Sequence, residues 1–249
     1  MRLGSIMFSI FVLSVPVFAQ PTPTADELAH RTFDVLAGDG AWERARFFSY
    51  TFTLIGDGQV VSQFPQKWDR VTGDYQVSGK RADGLAFEAT INVLTGAVHG
   101  SIQGREVHDA ADLKSLYDIA SERFINDTFW LLMPLKMFDP GFYRAYDGTR
   151  SDTCGHTWDV LKITVEAVKG NPTATYWAWI NRDTRMVEQW DIKLATMPAD
   201  APPVSVVFHD YRRIAGLLIS TRREARGQNQ VVRFDDLQIL PETPKDSFK

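Results

Sequence analysis

Five histidines, a single cysteine and a few closely spaced carboxylates are the groups from which this chain could build catalysis or a metal site. The histidines are His30, His99, His108, His156 and His209. No two stand at the i, i+2 or i, i+4 spacing that places a pair of imidazoles on one face of a strand or helix. His108, Asp109 and Asp112 lie close enough for a hard-metal cluster, but an Asp directly ahead of an apolar-periodic run more often caps a helix. Cys154-Gly155-His156 offers a thiol and an imidazole in a loop, with no neighbour in sequence that would lower the thiol pKa. Asp235 and Asp236 are adjacent in a strand and so point to opposite faces. Asn126-Asp127-Thr128 matches a glycosylation sequon, meaningful only in a eukaryotic host. There is no GxSxG elbow, phosphate-cradling glycine loop or SxxK pair. These patterns assign no catalytic residue, no metal and no cofactor. A secreted hydrolase would need His108, Asp109, Cys154 or His156 to converge at the mouth of a cavity.

Composition narrows the class further. Met1-Arg2, an apolar run from Ile6 to Val17, and small residues at Val17 and Ala19 read as a secretory signal peptide over residues 1–19, cut after Ala19. Gln20 rather than a cysteine follows the cut, so the mature chain, a single domain over 20–249, is expected to be periplasmic, soluble, without a lipid modification of its own and monomeric. Losing Arg2 moves the formal charge from −4 to −5. A mildly acidic chain without a basic cluster argues against nucleic acid or an anionic membrane surface as partner. Cys154 is the only cysteine, so no internal disulfide is available and stability must come from the core. Seven Trp and sixteen Phe call for a large apolar interior or an apolar ligand.

The elements that would position these residues follow from periodicity. Thr24-Ala-Asp-Glu27 is a capping-box pattern, and Leu28, Ala29, Thr32, Phe33, Val35 and Leu36 continue it as an amphipathic helix that Gly38-Asp39-Gly40 stops. From Arg46 the period becomes two. Strands are predicted at 46–55, 59–71 (with Pro65 forcing a bulge or an edge), 75–81, 85–94 and 97–107, joined by tight Gly-containing turns into a meander. A helix over Asp109–Glu122 follows, then a short helix capped by Asn126 or Asp127 and ended by Pro134. The second half reads as strands at 142–146, 156–165, 173–180, 186–194, 204–212, 217–226 and 231–240, with a loop over 147–155 and a turn at Lys169-Gly-Asn-Pro172. The fold class is mainly β, a single curved antiparallel sheet of about eleven strands that curls or closes.

Between the halves lies Phe124–Gly141, FINDTFWLLMPLKMFDPG, the densest apolar stretch after the leader and too interrupted to span a bilayer. One sheet with few helices has little else to cover its apolar face, so this segment is either a core plug or the wall of a cavity. The candidate wall comprises Phe129, Trp130, Leu132, Met133 and Met137 of the segment, Phe48, Tyr50 and Phe52 on one strand face, and Trp68, Phe87 and Ile91 on others. Trp177 and Trp179, which share a face, complete it. Aromatic residues also favour strands in an ordinary filled core, which is the competing reading.

The order of elements resembles the Lol-type lipoprotein carriers and their secreted relatives. Trp179-Ile180-Asn181 with Met186-Val187 looks like that family's W-I-D hairpin, with Arg185 where the family has Gly. Phe208-His209-Asp210-Tyr211, followed by Ile214, Gly216 and Leu218-Ile219, looks like its F-x-D-Y strand pair. The central NDTFWLLMP…DPG is similar to a signature of an uncharacterised group of secreted bacterial relatives, matched from Asn126 to Pro134 and at Lys136, Asp139, Pro140 and Gly141. The resemblance implies an open β half-barrel whose mid-chain helices form a lid over an apolar cavity for acyl chains. It thereby implies a non-enzymatic periplasmic carrier or binding protein for a lipid or acylated ligand, with a membrane-associated donor or acceptor protein as a possible partner. The classical family's lid-locking arginine has no assignable counterpart here. A filled β module that binds a protein partner is the remaining alternative.

Overall fold

Thr24 opens the first helix as its sequence pattern requires. In the computed structural model, which describes residues 22–165 and 174–248, the Glu27 amide donates to Thr24 Oγ1 (3.2 Å) and the Thr24 amide to Glu27 Oε2 (2.9 Å). This closes the capping box of α1, Ala25–Ala37. A four-residue helix α2, Ala41–Arg44, absent from the sequence reading, follows. The expected leader 1–19, the turn Lys169–Pro172 and the strand start at Thr173 lie outside the described residues.

Thirteen described strands form one antiparallel sheet. They are β1 (Phe47–Gly56), β2 (Gln59–Asp69), β3 (Asp74–Lys80), β4 (Ala86–Asn92), β5 (Val98–Ile102) and β6 (Arg105–Glu106) before the central helix. After it come β7 (Phe142–Ser151), β8 (Thr157–Val165), β9 (Ala174–Asn181), β10 (Val187–Leu194), β11 (Val204–Ile214), β12 (Leu217–Ala225) and β13 (Gln230–Leu240). The order is β6-β5-β4-β3-β2-β1-β13-β12-β11-β10-β9-β8-β7, so β6 and β7 are free edges and the half-barrel stays open. The two meanders meet at β1–β13, where Phe48 faces Ile239 and Phe52 faces Phe234, with a bulge between Ser49 and Thr51.

Three local readings need correction. The predicted strand 97–107 is a hairpin, because Gln103 (φ 53°) and Gly104 (φ 72°) both turn left-handed and fold Arg105–Glu106 back on β5. The strand predicted at 142–146 continues to Ser151, so half of the expected loop is β7. The two predicted central helices are one helix, α3, Ala110–Leu132, capped by Asp109, whose Oδ1 accepts from the Ala111 amide (2.8 Å) and the Asp112 amide (3.3 Å). Asn126 and Asp127 therefore sit inside a helix rather than at its start. Pro134 lies in the 3-10 turn Met133–Phe138 that continues α3.

Pro65 needs no special account, since the β2–β3 ladder pairs only Gln66–Trp68 and opens just before it. Arg185 holds the left-handed turn (φ 60°), and its amide donates to Asn181 O (2.9 Å).

One face of the sheet carries α1, α3 and the 3-10 turn. Met133 and Met137 pack with Leu161, Ile163, Ala178 and Trp190. Leu131, Leu132 and Leu135 pack with Phe48, Tyr50, Phe52 and Phe234 at the seam, and Leu116 and Ala120 with Tyr75, Phe87, Ala89 and Ile91. Most of the apolar face is thus filled by the chain's own central segment.

Candidate functional site

At 23 residues, α3 is about 35 Å long. That reach lets one helix cross from β3–β5 at its start to β12 at its end. Its middle is held down by a buried polar cluster. The hydroxyls of Tyr50 and Tyr75 both donate to Gln66 Oε1 (2.8 Å each). Gln66 Nε2 donates in turn to Asp127 Oδ2 (2.5 Å), and Asn126 Nδ2 donates to Asp127 Oδ1 (2.8 Å). Arg123 Nη1 stands 3.5 Å from the same carboxylate, with its guanidinium over the Phe64 ring. Burial pushes the Asp127 carboxyl up to about 6, against the pull of Arg123 and of the two amide hydrogen bonds. Burial also holds Tyr50 and Tyr75 well above the ordinary phenol range, and the Asp127 charge adds to it. The cluster is fully bonded, so it fastens the helix to the sheet.

Beside this anchor the packing opens. A hollow of about 710 Å³ lies between α3, the Lys136–Pro140 end of the 3-10 turn and the second half of the sheet. Its walls are mainly Trp68, Phe124, Ile125, Phe129, Phe142, Val165, Tyr176 and Leu194. The Phe129 and Tyr176 rings meet at 5.4 Å, and Phe124 sits edge-on to Trp68 at 5.3 Å. Polar residues at this hollow are Glu122, Asn126, Thr128 and the ion pair Lys136–Asp139 (2.8 Å). A second hollow, of about 200 Å³, is lined by Phe52, Leu54, Trp130, Val206 and Val232 together with Arg123, Asn126 and Arg223. Asn126 borders both.

Arg223 is fully buried on β12, directly opposite Phe208 of β11. Its guanidinium lies 4.4 Å from the Phe208 ring centre and 5.1 Å from that of Phe234. Nη2 donates to Leu131 O (3.0 Å) in the last turn of α3, where a cation suits the helix dipole. Nε and Nη1 have no hydrogen-bond partner. Burial lowers the guanidinium to about 9, so it remains charged at neutral pH.

The candidate residues divide between walls and filling. Trp68 and Phe129 line the larger hollow, and Phe52 and Trp130 the smaller one. Phe48, Tyr50, Leu132, Met133 and Met137 are buried filling between helix and sheet, as are Phe87 and Ile91 beneath α3. Trp177 and Trp179 stand on the opposite face of β9 from Tyr176, Ala178 and Ile180, which pack in the core. There the Trp179 indole donates to Asp191 (2.8 Å) and Lys162 lies over Trp177. Alternation put both tryptophans on one face, but it does not say which face meets the helices.

Sequence reasoning missed Tyr176, Phe124, Ile125, Gln66 and Arg223. Arg223 did carry a signal, because it falls in phase with Leu217 and Ile219 on an apolar strand face.

The groups considered for hydrolysis do not converge. His108 and Asp109 follow β6 at one edge of the sheet, whereas Cys154 and His156 lie between β7 and β8 at the other. His156 Nδ1 bonds Asp152 (2.8 Å) in an exposed turn, and Cys154 is exposed. No cluster of metal-ligating side chains and no helix long and apolar enough to cross a membrane occurs among the described residues.

The sequence matches no protein-family model and no curated protein. Among solved structures, it is similar to a LolA superfamily protein from Nitrosomonas europaea, at 11% identity and a TM-score of 0.52, covering 92% of this chain and 98% of that one. A DUF1329 family protein from Desulfovibrio piger aligns at 15% identity and a TM-score of 0.47 over 85% of this chain and 90% of that one. The open thirteen-stranded sheet with its N-terminal and mid-chain helices has the LolA-like fold.

Proposed function

We propose that this protein is a periplasmic binding or carrier protein for a lipid or acylated ligand. The observation that carries the reading is the hollow of about 710 Å³ beside α3, walled by aromatic and aliphatic side chains. Hollows of that size, apolar with a few polar groups, suit small apolar ligands. Moving an acyl chain into it is worth about 0.8 kcal/mol per CH₂. Binding then needs no chemistry, which agrees with the separation of His108 and Asp109 from Cys154 and His156 at opposite edges of the sheet. The leader-like residues 1–19 support export, and the sequence resemblance to the Lol-type carriers implies a ligand under the mid-chain helix.

The test is native mass spectrometry of protein purified from a membrane-containing lysate, paired with titration of a fluorescent fatty acid. Co-purifying lipid, displaced by added fatty acid, is the expected result. Protein free of lipid that also fails to bind the probe would overturn the reading.

A further inference from the structure

The smaller hollow carries an electrostatic asymmetry that the binding of an apolar chain does not explain. Two arginines, Arg123 and Arg223, are among the residues lining it, and none of the described residues lining it is a carboxylate, in a chain whose formal net charge is −4. Arg123 has Asp127 and Glu122 within ion-pair distance, so its charge is compensated. Arg223 differs. It is fully buried, uses one donor on Leu131 O, and leaves Nε and Nη1 without a hydrogen-bond partner. Its titratable neighbour is Tyr211, which burial keeps neutral. A structural role as a cap for the end of α3 accounts for one N–H and leaves the rest. A buried charge with free donors is costly unless an opposite charge meets it, and the flat guanidinium fork suits the oxygens of a carboxylate or phosphate. The flanking Phe208 and Phe234 rings hold the fork in place.

We propose that Arg223 binds an anionic group in the hollow under α3, so that the ligand is an amphiphile with a carboxylate or phosphate head. The inference rests on the binding function proposed above and names the class of ligand. Asn126 of α3 is a lining residue of both hollows. The tail lies in the larger, apolar hollow, and the head passes Asn126 to reach Arg223. Nε and Nη1 are buried in the unliganded protein, so the packing around the guanidinium must shift for the anion to accept from them and supply the missing counter-charge.

The experiment compares dodecanoic acid, dodecyl phosphate and dodecanol, which share one tail, by calorimetric titration of the full protein at neutral pH, with inorganic phosphate as the tail-less anion. The two anionic amphiphiles are expected to bind at least about tenfold more tightly than the alcohol, a difference of about 1.4 kcal/mol. Arg223→Met should erase that preference, so that the variant binds the two anions no more tightly than it binds dodecanol, whereas Arg223→Lys should retain part of it. The wild-type comparison needs no variant and stands even if Arg223→Met fails to fold. Equal binding of alcohol and anions by the wild type overturns this inference alone. Phosphate binding that the amphiphiles do not displace also overturns it, because the site would then serve a free anion. Binding of none of the three dodecyl compounds overturns the parent reading and this inference with it.

Discussion

Gln66 of β2 and Asp127 of α3 are joined by a 2.5 Å hydrogen bond through the buried space between sheet and helix. The same Gln66 side chain accepts from Tyr50 and Tyr75, so one amide ties three neighbouring strands to the middle of α3. The carboxylate it meets is the least comfortable charge in that contact, because burial outweighs the help of Arg123.

Asp127 therefore gives the fold a pH dependence of unusual sign. Its folded pKa, about 6, lies above the ordinary carboxylate value of 3.8, so the folded state holds the proton more tightly than the unfolded chain. Stability from this group is fully present below the unfolded pKa and is lost as pH rises through about 6, by about 3 kcal/mol in all. Asp127→Asn, which cannot ionise, should be insensitive to this window. Urea midpoints measured at intervals between the two pKa values should show the wild type losing stability relative to the variant as pH rises. A constant difference would refute the assignment.

Asp69 acts in the opposite sense. Burial alone would raise it, but hydrogen bonds from Arg46, Thr243 and the Val71 and Thr72 amides overcome that and hold it at about 2. Its contribution is present above the unfolded pKa and disappears as pH falls towards 2, about 2 kcal/mol in total. Asp69→Asn should therefore cost stability at neutral pH and little in strong acid, read from thermal melts on both sides of that range.

Ile125 distinguishes wall from filling. It is 42% exposed yet lines the larger hollow. Ile125→Glu should leave stability within about 0.5 kcal/mol, as surface changes usually do. It should weaken fluorescent fatty-acid binding by about tenfold, since the new carboxylate must lose water whenever a tail enters.

Met137 is filling. Its side chain is fully buried against the second half of the sheet, so Met137→Ala should cost about 2–5 kcal/mol in a urea titration. A cost below about 1 kcal/mol would mean that the 3-10 turn is not packed as described.

Trp177 serves as the outer-face control. Lying across β9 from Tyr176, it should tolerate Trp177→Phe with fatty-acid affinity unchanged within about twofold, in the same displacement titration. Tyr176→Ala, by contrast, removes the ring that faces Phe129 and should weaken binding several-fold.

How much of this was readable beforehand follows from the range of each interaction. The capping box of α1, the turn glycines and the period-two runs act between residues a few positions apart, so they name helix, strands and fold class directly. Gln103-Gly104 is also a local turn signal, but the residues around it continue a strand-like run that masks it. Asn126-Asp127 misled for a different reason. An Asx pair reads as a cap unless a partner elsewhere binds its side chain, and Gln66, which binds Asp127, lies sixty-one residues away.

The sites depended still more on distant contacts. Alternation put Trp177 with Trp179 and Arg223 with Leu217 and Ile219, but the pleat has two equivalent faces. Which face is interior is settled only when α1 and α3 pack on one of them. The β1–β13 seam, which makes one sheet of two meanders, depends on pairing between strands at opposite ends of the chain. Local pattern determined the elements, their order and the supply of apolar side chains. Tertiary packing alone decided which of those side chains fill the interior, which face a hollow, and that one buried arginine is left short of partners.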